Sequence, residues 1–133
     1  MKKVFLASLV LTILTSCTGS SDIIPDDTSG DINGVWMLKA QYGDNGREGL
    51  TECRLLESIS FEGNSVIMVK ADEKGNSECN VSTSKGTFSK TETNLLLTIG
   101  NENIQYKIKE LTKTKLFVLL ANSSKAFTYE RAE

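Results

Sequence analysis

The residues of this 133-residue chain that could carry covalent or ligand chemistry are few, and the three cysteines lead them. They are Cys17, Cys53 and Cys79. A thiolate can serve as nucleophile, metal ligand or redox partner, and two thiols can close a disulfide. There is no histidine, so the commonest general base and the commonest metal ligand are both missing. Adjacent carboxylates occur at turn-like positions such as Asp72-Glu73, where a solvated loop accounts for them. Asp26, Asp27 and Asp31 lack the alternating spacing of a calcium loop. No Gly-x-Ser-x-Gly elbow, phosphate-binding glycine loop or dinucleotide turn is present. The net charge is −2 with no basic cluster, which argues against tracking a nucleic-acid backbone. An enzyme is not expected, nor is a metal or other cofactor.

Cys17 stands apart because of what precedes it. Met1-Lys2-Lys3 and the uncharged run Val4 to Thr15 read as a signal peptide. The run is too short for a spanning helix, which needs about 20 apolar residues. Leu14-Thr15-Ser16-Cys17 then resembles the lipobox of bacterial lipoproteins. That resemblance implies cleavage before Cys17 and lipidation of its sulfur by acyl chains such as palmitate. A single chain would hold only marginally, and several give a stable membrane anchor. Thr18 is not the aspartate that retains such proteins in the inner membrane of enteric bacteria, so the implied address is the outer membrane, on a face left open. Thr18 to Asp31 is rich in Gly, Ser, Thr and Asp and reads as a flexible tether. Residues 1–16 are then a signal peptide, 17–32 the lipidated cysteine and tether, and 33–133 the folded domain. Export places Cys53 and Cys79 in an oxidising compartment, where they are the pair that remains. A zinc site lacks further ligands of the usual type, and a redox pair normally has its cysteines two residues apart. A structural disulfide is expected.

The element that organises the folded part is the strand opened by Asn33-Gly34-Val35-Trp36. Trp36, Leu38, Ala40 and Tyr42 share one face and Lys39 and Gln41 the other, the period of a half-buried strand. Short apolar or alternating runs follow, separated by turn signals: Asn45-Gly46, Glu62-Gly63-Asn64, Gly75-Asn76, Gly100 to Asn103 and Asn122 to Ser124. About eight antiparallel strands result, with Glu48 to Glu57 left as a short helix or turn. The fold class is all-β, an up-and-down barrel closed by its last strand beside its first. Antiparallel closure sets Arg131 next to Trp36. Its parity with Phe127 and Tyr129 points it inward, so that a guanidinium lies over the indole, an arrangement worth ~1–2 kcal/mol when desolvated.

Gly34-Val35-Trp36 on a first strand and Arg131 on the last resemble the lipocalin signature. The whole set is closer to the small lipocalin-like lipoproteins of Gram-negative bacteria. It comprises the lipobox, Gly34 and Trp36, the central Cys53 and Cys79, Tyr106-Lys107-Ile108 with Leu111-Thr112, and Tyr129-Glu130-Arg131. The resemblance spans residues 31–131. Against typical lipocalins the domain is short, the middle Thr-Asp-Tyr-like motif is missing and no helix follows the barrel. It implies a barrel that binds a small apolar ligand, with Leu38, Tyr42, Phe61, Phe88, Leu97, Tyr106 and Phe127 facing it. Trp36 is read as scaffold. An eight-stranded barrel is only just wide enough to be filled by its own side chains or to hold one small ligand. The competing expectation is therefore an envelope interaction protein, an inhibitor or accessory subunit, with a solid barrel. Leu116 to Leu120, apolar on both faces, fits that alternative.

Overall fold

The computed structural model describes residues 27–132. Nine strands are present: β1 Gly34–Gly43, β2 Gly46–Glu48, β3 Ser58–Glu62, β4 Ser65–Gly75, β5 Glu78–Thr91, β6 Asn94–Ile99, β7 Glu102–Leu111, β8 Lys115–Leu120 and β9 Ala126–Arg131. All neighbours pair antiparallel, and β9 pairs back onto β1, so β1 and β3–β9 form a closed eight-stranded barrel. The short β2 pairs with the far end of β1. The segment left open between Glu48 and Glu57 forms a single 3₁₀ turn at Arg54–Leu56. The polar stretch around Thr83 to Lys85 does not break β5, because its ladder to β4 runs through it. Gly86 lets that long strand cross β6: a Cβ there would strike the Thr98 carbonyl and Ile99, as at a barrel corner.

One end of the barrel, the floor, is closed by Trp36 and Arg131. Trp36 is fully buried and pairs with Arg131 across the β1–β9 ladder. The guanidinium stacks on the indole at 4.2 Å from the ring centre. Its nitrogens also donate to three carbonyls: Nε to Lys113 (2.6 Å), Nη1 to Asn33 (2.5 Å) and Nη2 to Asp31 (2.6 Å). Such charge-assisted bonds are among the stronger ones in proteins. Gly34 makes room for this: its φ is +132°, and a Cβ there would fall on the guanidinium.

Part of the expected tether belongs to the floor. Asp27 to Ile32 lies along the end of β7: the Leu111 amide donates to the Asp27 carbonyl (2.7 Å) and the Gly30 amide to the Leu111 carbonyl (2.8 Å). Ile32 is buried in the core, and its carbonyl accepts the Trp36 indole N–H at 2.8 Å. These residues are held because β6 stops short of the end of β7 and leaves the Leu111 backbone groups to be satisfied. Residues 1–26, including Cys17, lie outside the described residues.

Above the floor the barrel is filled by its own side chains. Trp36, Leu38, Phe61, Val66, Leu97, Ile108, Leu111, Leu116 and Val118 are all essentially inaccessible. Phe61 meets Phe88 edge-on at 4.8 Å. Cys53 and Cys79 form the expected disulfide, with Cα atoms 5.4 Å apart. It ties the 3₁₀ turn to β5 where the β4–β5 hairpin runs beyond the rim. Its closed loop, with a sequence separation of 26, is worth ~3.5 kcal/mol on the chain-entropy model.

Two outcomes are expected in urea unfolding followed by circular dichroism. Trp36→Ala loses ~3–5 kcal/mol, the range for truncating a buried aromatic. Gly34→Ala loses ~1–3 kcal/mol from the strained backbone alone, and more as Arg131 is displaced. A Gly34→Ala variant as stable as the parent would show that the guanidinium does not need that space. A Cys53→Ala/Cys79→Ala variant should fold with faster amide exchange confined to residues 70–83, and exchange unchanged there would show that the disulfide does not hold the hairpin.

Candidate functional site

At the other end, the mouth, the inward alternation of β1 changes phase. Leu38 pairs with Tyr129 and Ala40 with Thr128, so Lys39 is an extra residue, a β-bulge. Beyond it Gln41 is opposite Phe127 and buried, and Tyr42 is opposite Ala126. The expected inward place of Tyr42 is therefore corrected: the bulge turns it onto the outer wall, where it meets Phe117 edge-on at 6.1 Å. A second bulge at Lys109 does the same on β7, bringing Leu111 into the core opposite Leu116 and Glu110 opposite Phe117.

Gln41 belongs to a partly buried polar network that strings the rim together. Its Nε2 donates to Glu48 Oε1 (2.6 Å), and its Oε1 accepts from Arg54 Nη2 (2.7 Å). Arg54 Nε pairs with Glu57 Oε2 at 2.9 Å, and the same oxygen accepts the Ala71 amide at 3.1 Å. Glu57, only 8% exposed, sits just before β3. The 3₁₀ turn thus contributes one charge of the pair and the residue after it the other, filling the wall between β1 and β4 above β3. A buried charge is tolerated only when paired and hydrogen-bonded in this way.

Two clefts open from the mouth and share Lys70 and Phe127. The polar one, about 480 Å³, is lined by Gln41, Arg54, Glu57, Lys70, Ala71, Asp72, Lys125 and Phe127. The more apolar one, about 460 Å³, is lined by Asn103, Ile104, Gln105, Tyr106, Leu120, Ala121 and Asn122 in addition to those two. Tyr106 stacks edge-on with Phe127 (6.3 Å), which leans on Tyr129 (6.4 Å). Burial, reinforced by the nearby Glu57 charge, pushes the Tyr106 phenol up to about 12. Burial first, then Tyr106 and Glu57, raises Tyr129 well above its usual value. Both phenols are neutral donors at physiological pH.

Of the seven residues expected to face a ligand, Tyr106 and Phe127 line this mouth. Leu38, Phe61 and Leu97 are sealed in the core, Phe88 packs against it, and Tyr42 is outside. Gln41, Arg54, Glu57, Lys70 and Lys125 were not anticipated. The usable signal was Glu57, a carboxylate next to Leu55-Leu56 and immediately before a strand. Cys53, Cys79 and Glu73 bring two sulfurs and a carboxylate within 4.8 Å of one another. Each sulfur is bonded to the other, which leaves Glu73 as the free ligand atom of that group.

A closed antiparallel barrel with a packed interior, a plugged floor and an open, partly polar mouth defines a scaffold of the lipocalin type. The family model described as "Lipocalin-like domain" matches residues 32–118, well over half of the chain, and the protein belongs to that family. Among solved structures, it is similar to a lipocalin-like protein from Bacteroides uniformis (14% identity, TM-score 0.61). It is also similar to an uncharacterized protein from Bacteroides eggerthii (13% identity, TM-score 0.59). Each match covers 77% of this chain and 100% of the other, and at such identities the likeness is one of fold. No curated protein matches the sequence significantly.

The phenols set an alkaline limit. Their folded pKa values lie above the unfolded value near 10, so their contribution is complete below about pH 10 and is lost as pH rises through the folded values. For Tyr106 a shift to about 12 corresponds to ~2–3 kcal/mol. Stability should fall between pH 10 and 12, and Tyr106→Phe should flatten that fall. An unchanged slope in the variant would place the alkaline lability elsewhere.

Proposed function

We propose that this protein is a lipid-anchored cell-envelope lipoprotein whose barrel binds a small amphipathic molecule at its mouth rather than in its depth. The observation that carries the binding half is the paired clefts. One is lined mainly by charged and polar side chains, the other mixes Ile104, Tyr106 and Leu120 with side-chain amides, they meet at Lys70 and Phe127, and the barrel below them is filled. A concave site with apolar walls and a few converging polar groups is the common form of small-molecule sites. Lys70 and Lys125 in the polar cleft make no ion pair with other described residues, so their N–H groups are available as hydrogen-bond donors to an incoming polar group. The anchoring half is supported by Leu14-Thr15-Ser16-Cys17 after an apolar leader, with the outer membrane as the address.

A second reading, an interaction protein, has its own observation. The bulge at Lys39 turns Tyr42 outward beside Phe117, next to an outer groove of about 500 Å³ lined by Lys39, Ala40, Arg47, Thr114, Lys115, Thr128 and Glu130 as well as Tyr42. Mutations separate the two readings, because Phe127→Ala alters the mouth and Tyr42→Ala the wall.

Two measurements test the proposal. Cells fed an alkyne-bearing palmitate should label the full chain and not its Cys17→Ser variant, with the variant leaving the membrane fraction. Equal labelling of both would remove the anchor. For binding, small molecules extracted from the protein purified from its own host should be retained by the parent and by Tyr42→Ala and depleted at least ~10-fold in Phe127→Ala, the loss of about 1.4 kcal/mol of contact. Retention by Phe127→Ala equal to the parent would sink the mouth as the site.

A further inference from the structure

The polar end of the bound molecule can be assigned, on the strength of the mouth-binding reading above. Beneath the polar cleft is a space of about 10 Å³ whose lining includes Glu57, Ile59, Met68, Lys70 and Tyr129. That is the size of one water or one hydroxyl group. Tyr129 is buried, and its hydroxyl makes no hydrogen bond to another described residue. Native proteins rarely leave such a group without a partner. Glu57 has accepting capacity to spare. Its Oε2 is occupied by Arg54 Nε and the Ala71 amide, whereas Oε1 holds only a 3.4 Å contact from Arg54 Nη2.

A donor and an acceptor thus line one hydroxyl-sized space that adjoins the cleft through their shared residues Glu57 and Lys70. A hydroxyl is the group that can accept from the phenol and donate to the carboxylate. An ionised carboxylate has no proton for Glu57 and would lie in its negative field, the field that also helps keep Tyr106 and Tyr129 protonated. An ammonium would meet the like charges of Lys70 and Arg54 in the same walls. We infer that the mouth takes a neutral amphipath whose terminal hydroxyl enters between Tyr129 and Glu57 while its apolar body lies along Ile104, Leu120 and Phe127. The class is that of long-chain or alicyclic alcohols, distinct from fatty acids and amines.

The test uses the full chain in isolated membranes with three photoreactive probes of one chain length: a primary alcohol, its methyl ether and the corresponding carboxylate, each with a diazirine in the alkyl chain. Cross-linked peptides are mapped by mass spectrometry. The alcohol should label the peptides holding Ile104 to Tyr106 or Phe127. The ether and the carboxylate should label them about 10-fold less, the cost of one buried group left unsatisfied. Tyr129→Phe, which keeps the ring, should lower alcohol labelling to the level of the ether and leave the ether unchanged. Carboxylate labelling equal to or above that of the alcohol, or ether labelling equal to it, overturns the assignment of the head group while the mouth site stands. Failure of all three probes to label those peptides overturns the mouth-binding reading itself.

Discussion

The closure of this barrel depends on one guanidinium. Arg131 is the last residue of β9, and the strand it ends must hold the first strand if the sheet is to have no free edge. Backbone pairing supplies most of that hold, but pairing frays at chain ends. Here the end is fixed by a cation lying on a buried indole and by three bonds to carbonyls of two separate segments. Those segments, around Asp31, Asn33 and Lys113, are the ones that would otherwise part first: the entry to β1 and the β7–β8 turn. The positive φ of Gly34 and the burial of Ile32 are consequences of bringing them together at one point.

A closed floor and a packed interior leave the mouth as the place where the barrel can vary. Two bulges shape the two ends. Each inserts one residue, Lys39 in β1 and Lys109 in β7, and each reverses which side chains face inward beyond it. In β1 the reversal replaces a tyrosine by a glutamine at the inner rim, and that glutamine joins Glu48, Arg54 and Glu57 into one network. In β7 it carries Leu111 into the core beside the segment Asp27 to Ile32. One device therefore serves the polar end through β1 and the sealed end through β7.

The same bulges mark how far the sequence could be read. The barrel and its closure followed from period-two patterning and turn residues, and the Trp36–Arg131 pairing followed from chain order and parity. The disulfide followed from cysteine count together with the expectation of export. Parity is a counting rule, and one uncounted residue inverts everything after it. Nothing in Leu38-Lys39-Ala40 announces a bulge, because Lys39 is as acceptable on an outer face as in an extra position. That is why Tyr42 was expected inside and Gln41 outside. The site at the mouth was hidden for a further reason: Arg54 and Glu57 come from a loop, whose course no periodicity describes, and Lys70 and Lys125 from strand and turn positions that look merely solvated.

The mouth is also where the chain departs from what stability alone would favour. A buried ion pair gains little over a well-packed apolar substitute, and removing one partner is costly. An unpartnered buried phenol is a further cost. The Arg54–Glu57 pair, inward Gln41 and the Tyr129 hydroxyl are all at one end of a barrel whose remaining inner surface is aliphatic and aromatic. A barrel selected only to be solid could have continued Leu, Ile and Phe to the rim, as it does through its middle. Local rules broken together in one concave place, and obeyed elsewhere, are the pattern of a functional site set into a stable scaffold. On that argument the polar rim and the cleft it borders are where the proposed recognition belongs in this lipocalin-like barrel, and the floor is the part that lets the rim bear the cost.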